Sequence, residues 1–296
     1  MMNFFKKIYD KFFPGQEAIG LERINLDDSQ LLNCLRELGE FSYMPNSGNI
    51  GDMLIASATL QWFDANGIKY KRTSENETPN IFVYGGGGAW TRDYIQWMGP
   101  LMDKMKQAKK VVILPSSFND VPEFIKILDE RFIVFCREKK SYDYLKSQKT
   151  KATILLDHDM ALRLSCVPDG KKIPKKYKKQ YKKMNKALQK LPKTADLFRT
   201  DVESHGHYKS DFDISDAFGW FSPYEKREII DFAARTMLKM VNKFDKVKTD
   251  RLHVGIASMF VGADVELYDN SYGKISGVYE NSLSKLKNVI LKYKKD

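Results

Sequence analysis

Cysteine is scarce in this chain. The three present among 296 residues, Cys34, Cys136 and Cys166, have neither metal-site spacing nor the number needed for a disulfide framework, which points to a reducing compartment. Histidine is nearly as rare: beside His253 there are only His158, flanked by Asp157 and Asp159, and the pair His205 and His207, and neither grouping has a third ligand at interpretable spacing, so no metal is expected. Ten prolines exclude collagen-like and low-complexity classes. No apolar run approaches the roughly 18 residues of a membrane span, the nearest being 252–263, which His253 interrupts. A Walker loop, a G-x-G-x-x-G turn and a nucleophile elbow are all missing, and no carboxylate pair stands out as a glycosidase couple.

The chain has ample apolar material, 43% with 12% aromatic, and its length suggests two domains of about 150 residues each, or one large one. Its charge is uneven. Eleven lysines and no acid lie between Gly170 and Thr194, so the remainder balances 38 basic against 38 acidic residues. A neutral body with one basic tract is the result. The expected organisation is an N-terminal amphipathic helix within 1–20, an N-terminal Rossmann-like domain at 21–167, a lysine-rich insertion or linker at 168–194, and a small C-terminal Rossmann-like domain at 195–296. Lys6, Lys7 and Lys11 break up the aromatics of the first segment, so it is expected to be retained and not cleaved as a secretory signal. Phe4, Ile8 and Phe12 give it a helical stripe that either docks on the protein's own core or lies in a membrane interface.

Short β-branched and aromatic runs alternate with amphipathic stretches between about 40 and 165, the βαβ pattern of a doubly wound parallel sheet. Strands are expected at 41–44, 68–72, 81–84, 111–114, 132–136 and 153–156, with helices at 53–65, 92–107, 122–130 and 139–147. In the second half, strands are expected at 196–199, 246–248 and 265–268. Ser222-Pro223-Tyr224-Glu225 reads as a capping box opening a long helix, 252–261 as a helix, and 278–293 as a closing amphipathic helix.

Candidate site residues fall in the loops after strands, where open α/β sheets bind ligands. Asn46-Ser47-Gly48-Asn49-Ile50-Gly51-Asp52 can turn its backbone N–H groups toward an anion at a helix N-terminus, although the bland reading is a capped helix start. The run Gly85-Gly86-Gly87-Gly88 allows close approach of a ligand or simply a flexible connection. Ser116 and Arg137 follow later strands on the same edge. Arg251 and His253 begin a helix in the second half, and Asp269-Asn270-Ser271-Tyr272-Gly273-Lys274 forms another small-residue turn ending in a cation. A cleft between two anion-facing edges is the expectation.

Taken in order and spacing, Gly48-Asn49-Ile50-Gly51-Asp52, the glycine run, Asp250-Arg251-Leu252-His253 and 269–274 resemble the polysaccharide pyruvyl transferase family. The resemblance covers most of 40–285. It implies two Rossmann-like domains facing across a cleft, as in glycosyltransferase-B folds, and transfer of the pyruvyl group of phosphoenolpyruvate to a sugar as a ketal with release of phosphate. The acceptor is expected to be a galactose-type residue of a lipid-diphosphate-linked saccharide in capsule or exopolysaccharide assembly. No cofactor is expected beyond phosphoenolpyruvate as co-substrate. His253 is then the general acid, and Asp52 or Asp159 the candidate base. Donor binding falls to Ser47, Gly48, Asn49, Gly51, Gly86, Gly87, Ser116, Arg137, Arg251, Ser271 and Lys274. The lysine tract is not a family motif. Its outer lysines, Lys171 and Lys183, bracket either a solvated linker or a patch for an anionic membrane surface, giving a cytoplasmic protein peripheral on the inner face of the membrane. Nucleic acid is not expected, since the tract has no Arg fork for base readout. The rival readings are a nucleotide-sugar glycosyltransferase of the same fold and a non-enzymatic basic module for anionic polymers.

Overall fold

Runs such as Phe41-Ser-Tyr-Met44 and Ile81-Phe-Val-Tyr84 are too short for helices and apolar on both faces, so they can be buried only inside a covered parallel sheet. A computed structural model of the chain describes residues 21, 24–170, 172–201, 208–269 and 273–293. The expected helix within 1–20, Lys171, His205, His207 and Ser271 lie outside the described residues. In chain order the first half runs α1 (Ser29–Leu38), β1 (Phe41–Met44), α2 (Ile50–Ala65), β2 (Tyr70–Arg72), β3 (Ile81–Tyr84), β4 (Gly87–Thr91), α3 (Gly99–Gln107), β5 (Lys110–Asn119), α4 (Pro122–Ile125), β6 (Phe132–Cys136), α5 (Lys139–Ser147) and β7 (Thr153–Leu156). The second half runs α6 (Lys178–Leu188), β8 (Thr194–Asp196), α7 (Arg227–Val241), β9 (Lys246–Thr249), α8 (Leu252–Phe260), β10 (Asp264–Tyr268), α9 (Lys274–Val278) and β11 (Val289–Lys292).

Among the described residues the fold is α/β, with a seven-stranded parallel sheet in the order β2-β1-β3-β5-β6-β7, β4 pairing with β5, and a second sheet of four parallel strands, β11-β10-β9-β8. One face of the large sheet is covered by Leu101 and Met105 of α3, Phe124 of α4 and Leu145 of α5. On the other face a single apolar core runs from Tyr43, Val83 and Val112 through α2 to Ile230, Met237 and Val241 of α7, and on to Val247, Val265 and Leu267 of the small sheet. Each such fully buried large side chain contributes about 1.5–3 kcal/mol. The two sheets therefore share their packing.

Several expected elements change where a local pattern meets a long-range partner. The strand expected to end at 114 continues to Asn119 through Pro115, because β5 exchanges one neighbour for another there: β3 pairs up to Ile113 and β4 takes over at Ser116. The glycine run thus opens a strand. The helix expected at 92–107 is a short 3₁₀ turn, Ile95–Trp97, followed by α3, broken at Gly99-Pro100, and the one expected at 122–130 is a single turn. No capping box forms at Ser222. The carbonyls of Pro223 and Glu225 accept from Arg72 Nη2 and the Glu225 carboxylate pairs with Lys176, so α7 starts later, at Arg227. The closing helix expected at 278–293 is replaced by α9, a π turn at Tyr279–Leu283 and the strand β11, since Val289, Ile290 and Leu291 find an open parallel edge on β10.

The lysine-rich stretch is not a solvated tether. Tyr177 stacks on Phe232 of α7 with ring centroids 5.7 Å apart, and Met184 and Leu188 of α6 are buried in the core, while Lys178, Lys179, Lys182 and Lys183 face solvent.

Candidate active site

Helices α2 and α8 are apolar nearly all round, which requires burial on every side, and they touch one another in the interior. Both begin at the same place. A cavity of about 150 Å³ opens there, lined by Asn46, Ser47, Asn49 and Asp52 from the β1–α2 loop, Gly88 and Ala89 from the glycine run, Arg137 after β6, and Arg199, Arg251, His253 and Lys274 from the second half. It lies at the carboxyl ends of parallel strands with two helix N-termini directed at it, an arrangement that favours negatively charged ligands.

The β1–α2 loop is held by its own side chains. Asn49 caps α2, its Oδ1 accepting from the Gly51 N–H at 2.8 Å, and one Asp52 oxygen accepts from the Asn49 N–H at 2.9 Å to complete the capping box. The other Asp52 oxygen accepts from Asn46 Nδ2 at 2.9 Å, and Asn46 in turn accepts from the Tyr84 hydroxyl. Burial raises the Asp52 carboxyl above its usual range, against the opposing pull of His253, Asn46 and Asn49. Asp52 borders the cavity, but both oxygens are committed to fixing the turn, so the expectation of a base there meets a competing use. Gly48 is required by this geometry: a Cβ on it would lie 2.0 Å from Asp52 Oδ2. Gly51 is needed for a different reason, since a Cβ there would come within 3.0 Å of His253 Nδ1.

His253 stands at the start of α8, its Nε2 turned to Asp159 Oδ2 at 3.5 Å and its Nδ1 over Gly51. The same Asp159 oxygen accepts from Arg137 Nη1 at 2.7 Å, and the other accepts from the Ala161 N–H at 2.8 Å. Arg137 and Asp159 are each only 1% exposed at the side chain. Burial alone would raise the Asp159 carboxyl, but Arg137 and His253 outweigh it and hold the group well below the ordinary carboxylate range. Both Asp159 oxygens are thus engaged, so the expected alternative role of base meets a competing use there as well. Its position behind the imidazole suits orienting His253. Arg137 Nε donates to Ser117 Oγ at 2.8 Å, and that hydroxyl donates to Glu138 Oε2 at 3.1 Å. Burial pushes the Glu138 carboxyl up to about 7, with Arg137 and the Ser141 and Ser117 hydroxyls opposing.

Other expected donor contacts fall differently. Ser116 is fully buried and its hydroxyl donates to the Leu114 carbonyl, and neither it nor the equally buried Ser117 lines the cavity; Ser117 acts behind it, accepting from Arg137 Nε. Gly86 and Gly87 pack against Pro115 and Asn46, while Gly88 meets the cavity: a methyl there would come 3.3 Å from Arg137 Nη2 and 3.7 Å from Lys274 Nζ. The two cations therefore converge over Gly88. Lys274 begins α9 after Gly273, whose φ of 76° makes the turn. Arg251, expected to receive the phosphate, borders the cavity but forks onto acids: Nη1 to Asp201 at 2.8 Å, Nε to Asp213 at 3.1 Å, Nη2 to the second Asp213 oxygen, with Asp216 at 3.8 Å. Arg199 shares Asp201 with it at 2.7 Å. Sequence reading missed Tyr94, Trp97, Arg199, Ser215 and Trp220, most of which have no local signature. His158 is accounted for by Ser282 Oγ at 2.9 Å from its Nδ1, and among the described residues no cluster of three or more His, Cys, Asp or Glu is placed to hold a metal ion.

The family model for polysaccharide pyruvyl transferase matches residues 49–263. The chain belongs to that family. It is accordingly a transferase of polysaccharide biosynthesis, and the matched stretch carries Asn49, Asp52, Gly88, Arg137, Arg251 and His253 of the cavity. A curated Bacillus subtilis (strain 168) relative named "Putative pyruvyl transferase EpsO" is 24% identical over 285 residues, covering 83% of this chain and 86% of the relative. Among solved structures, a functionally uncharacterised protein, KP1_0663, from Klebsiella pneumoniae subsp. pneumoniae NTUH-K2044 superposes with a TM-score of 0.70 at 30% identity, covering 89% of this chain and 96% of that one. Among the described residues no helix is long and apolar enough to cross a membrane.

Proposed function

We propose that the chain moves the pyruvyl group of phosphoenolpyruvate onto two hydroxyls of one sugar, with the parts before and after the lysine-rich stretch acting as two Rossmann-like units around the cleft. The observation that supports this most is His253 held at the cavity between Gly51 and the Asp159–Arg137 pair, with Arg137 and Lys274 converging over Gly88. The donor carries a phosphate and a carboxylate. Arg137 and Lys274 bring cationic groups to the cavity, and the N-terminal end of the α2 dipole favours negative charge there.

In this reading protonated His253 gives its Nδ1 proton to C3 of the enol, which becomes a methyl group and leaves C2 electron-poor; Asp159 stabilises the imidazolium before transfer. The first sugar hydroxyl adds to C2, and the now neutral imidazole takes its proton. The C2–O bond to phosphate then breaks, the second hydroxyl adds to C2, and its proton leaves with the phosphate. One imidazole thus serves as acid and base, which fits the commitment of both Asp52 oxygens to the turn.

The acceptor we favour is a galactose-type residue of a lipid-diphosphate-linked saccharide in capsule or exopolysaccharide assembly. The solvent-facing lysines of α6 support attachment to an anionic leaflet, each adding about 1 kcal/mol near such a surface. Replacing Lys178 and Lys182 with Gln is expected to lower binding to phosphatidylglycerol vesicles about tenfold or more and leave turnover of a soluble acceptor alone; equal vesicle binding refutes the attachment.

The test of the transfer is incubation with phosphoenolpyruvate and galactosides, following phosphate release and the ketal methyl signal by NMR. His253→Asn is expected to lower kcat by about 10²–10⁴-fold. Consumption of a nucleotide sugar with phosphoenolpyruvate untouched overturns the reading.

A further inference from the structure

The chain has four tryptophans. Trp62 and Trp90 are core residues, 6% and 1% exposed, whereas Trp97 and Trp220 are 67% and 66% exposed, and both line the cavity. Among the described residues the other large apolar side chains so exposed are Ile290 and Tyr293, near the end of the chain. The two exposed indoles come from different halves: Trp97 ends the 3₁₀ turn before α3, and Trp220 precedes α7.

Each indole sits on an anchored backbone. Phe221, next to Trp220, is fully buried, packs 5.3 Å from the Tyr177 ring, and exchanges two backbone hydrogen bonds with Gly48 at 2.7 and 3.1 Å. The Trp97 N–H donates to the Tyr94 carbonyl at 3.0 Å, and the two rings lie 6.0 Å apart. Trp220 is therefore stitched to the same turn that forms the cavity wall at Ser47 and Asn49. An indole left in water forgoes the burial energy that usually retains it. Two such groups on the walls of one cavity, with Asn46, Asp52, Arg137 and Lys274 as their polar neighbours, suit a ligand with flat C–H faces and a rim of hydroxyls. A pyranose ring is such a ligand, because its axial C–H bonds meet the electron-rich indole face while its hydroxyls reach the polar groups. A lipid tail would press hydrocarbon against those polar groups and exclude water from them.

We propose that Trp97 and Trp220 form the acceptor subsite, holding one pyranose ring by stacking so that its reacting hydroxyls face His253. This rests on the transfer reading above, and the experiment separates the two. The intrinsic emission of the full chain is titrated, without phosphoenolpyruvate, with methyl β-D-galactopyranoside, methyl β-D-glucopyranoside and, separately, uridine diphosphate. At least one glycoside is expected to shift and quench the exposed-indole emission saturably. Trp97→Ala and Trp220→Ala are each expected to weaken binding about tenfold, the scale of one lost stacking platform, with Phe at either position restoring most of it. In turnover assays the same variants are expected to raise the acceptor KM about tenfold and the phosphoenolpyruvate KM less than twofold, with Tm unchanged because no buried contact is lost.

The inference is overturned by wild-type glycoside affinity in both variants, by no glycoside response in the wild type, or by a saturable response to uridine diphosphate alone. Glycoside binding that needs both indoles, with no phosphate released from phosphoenolpyruvate, keeps the subsite and overturns the donor. Turnover of phosphoenolpyruvate at an unchanged acceptor KM in both variants does the reverse.

Discussion

Of the buried arginines that border the cavity, Arg137 and Arg251 approach it from different sheets, and they are set in opposite surroundings. At the edge of the large sheet the Asp159 carboxylate lies between two basic groups, Arg137 and His253. At the edge of the small sheet the guanidiniums of Arg251 and Arg199 lie among three acids, Asp201, Asp213 and Asp216. The first arrangement orients an imidazole; the second ties Asp201 and Asp213 to the start of α8. Equal burial thus supports different work, and the difference is set by the ratio of acids to bases around each group.

Removing each arginine separates these roles. Arg251→Met leaves buried carboxylates unmatched and is expected to cost about 3–5 kcal/mol of stability in urea unfolding, with partial recovery in combination with Asp213→Asn. Arg137→Met also strands a buried carboxylate, Asp159, but its distinguishing effect is a rise in the phosphoenolpyruvate dissociation constant by about a hundredfold, one ionic contact of roughly 3 kcal/mol. Equal loss of donor affinity in both variants would erase the distinction between the two edges.

A smaller effect sharpens the same comparison through Glu138, linked to Arg137 by the Ser117 hydroxyl. Its carboxyl is raised from 4.5 to about 7 by burial, so the folded chain holds this proton more tightly than the unfolded one. The resulting stability is complete below pH 4.5 and lost as pH rises to about 7, up to about 3 kcal/mol. Asp159 runs the other way, its carboxyl being depressed, and its contribution is lost as pH falls below the ordinary carboxylate range. Glu138→Gln is therefore expected to flatten Tm between pH 4.5 and 7 and leave the acid limb unchanged. An unchanged slope in that window would place the titration elsewhere.

Much of this was legible in the chain. The strands at 41–44, 81–84, 132–136 and 153–156 appear with those bounds, because their apolar runs are short, β-branched or aromatic, and bounded by turn residues. Helix α1 went unread, and the closing segment was read as a helix, because a short apolar run such as 289–292 carries no mark of the free strand edge it will join. At the site, the Asn46–Asp52 turn, Arg137, His253 and Lys274 stood out from their position after strands, and the cavity brings them together. Ser116 and Ser117 could not be told apart, since alternate residues of a strand face opposite sides and the register changes between Ile113 and Ser116. The roles of Arg251 and Trp220 were equally hidden.

Sequence alone determined the local devices: the Gly48 and Gly51 turn, the capping pattern Asn49 to Asp52, the all-round apolar character of α2 and α8, and the amphipathic spacing of Tyr177, Met184 and Leu188 within a lysine-rich stretch. These depend on neighbours within a few positions and are written as spacings. Tertiary structure decided how each basic group is employed and which tryptophans meet water. Arg251 finds Asp213 38 positions away and His253 finds Asp159 94 positions away, separations over which no periodicity carries information. Charge pairing and exposure are properties of the packed chain, because both depend on which distant residues share the same low-dielectric space.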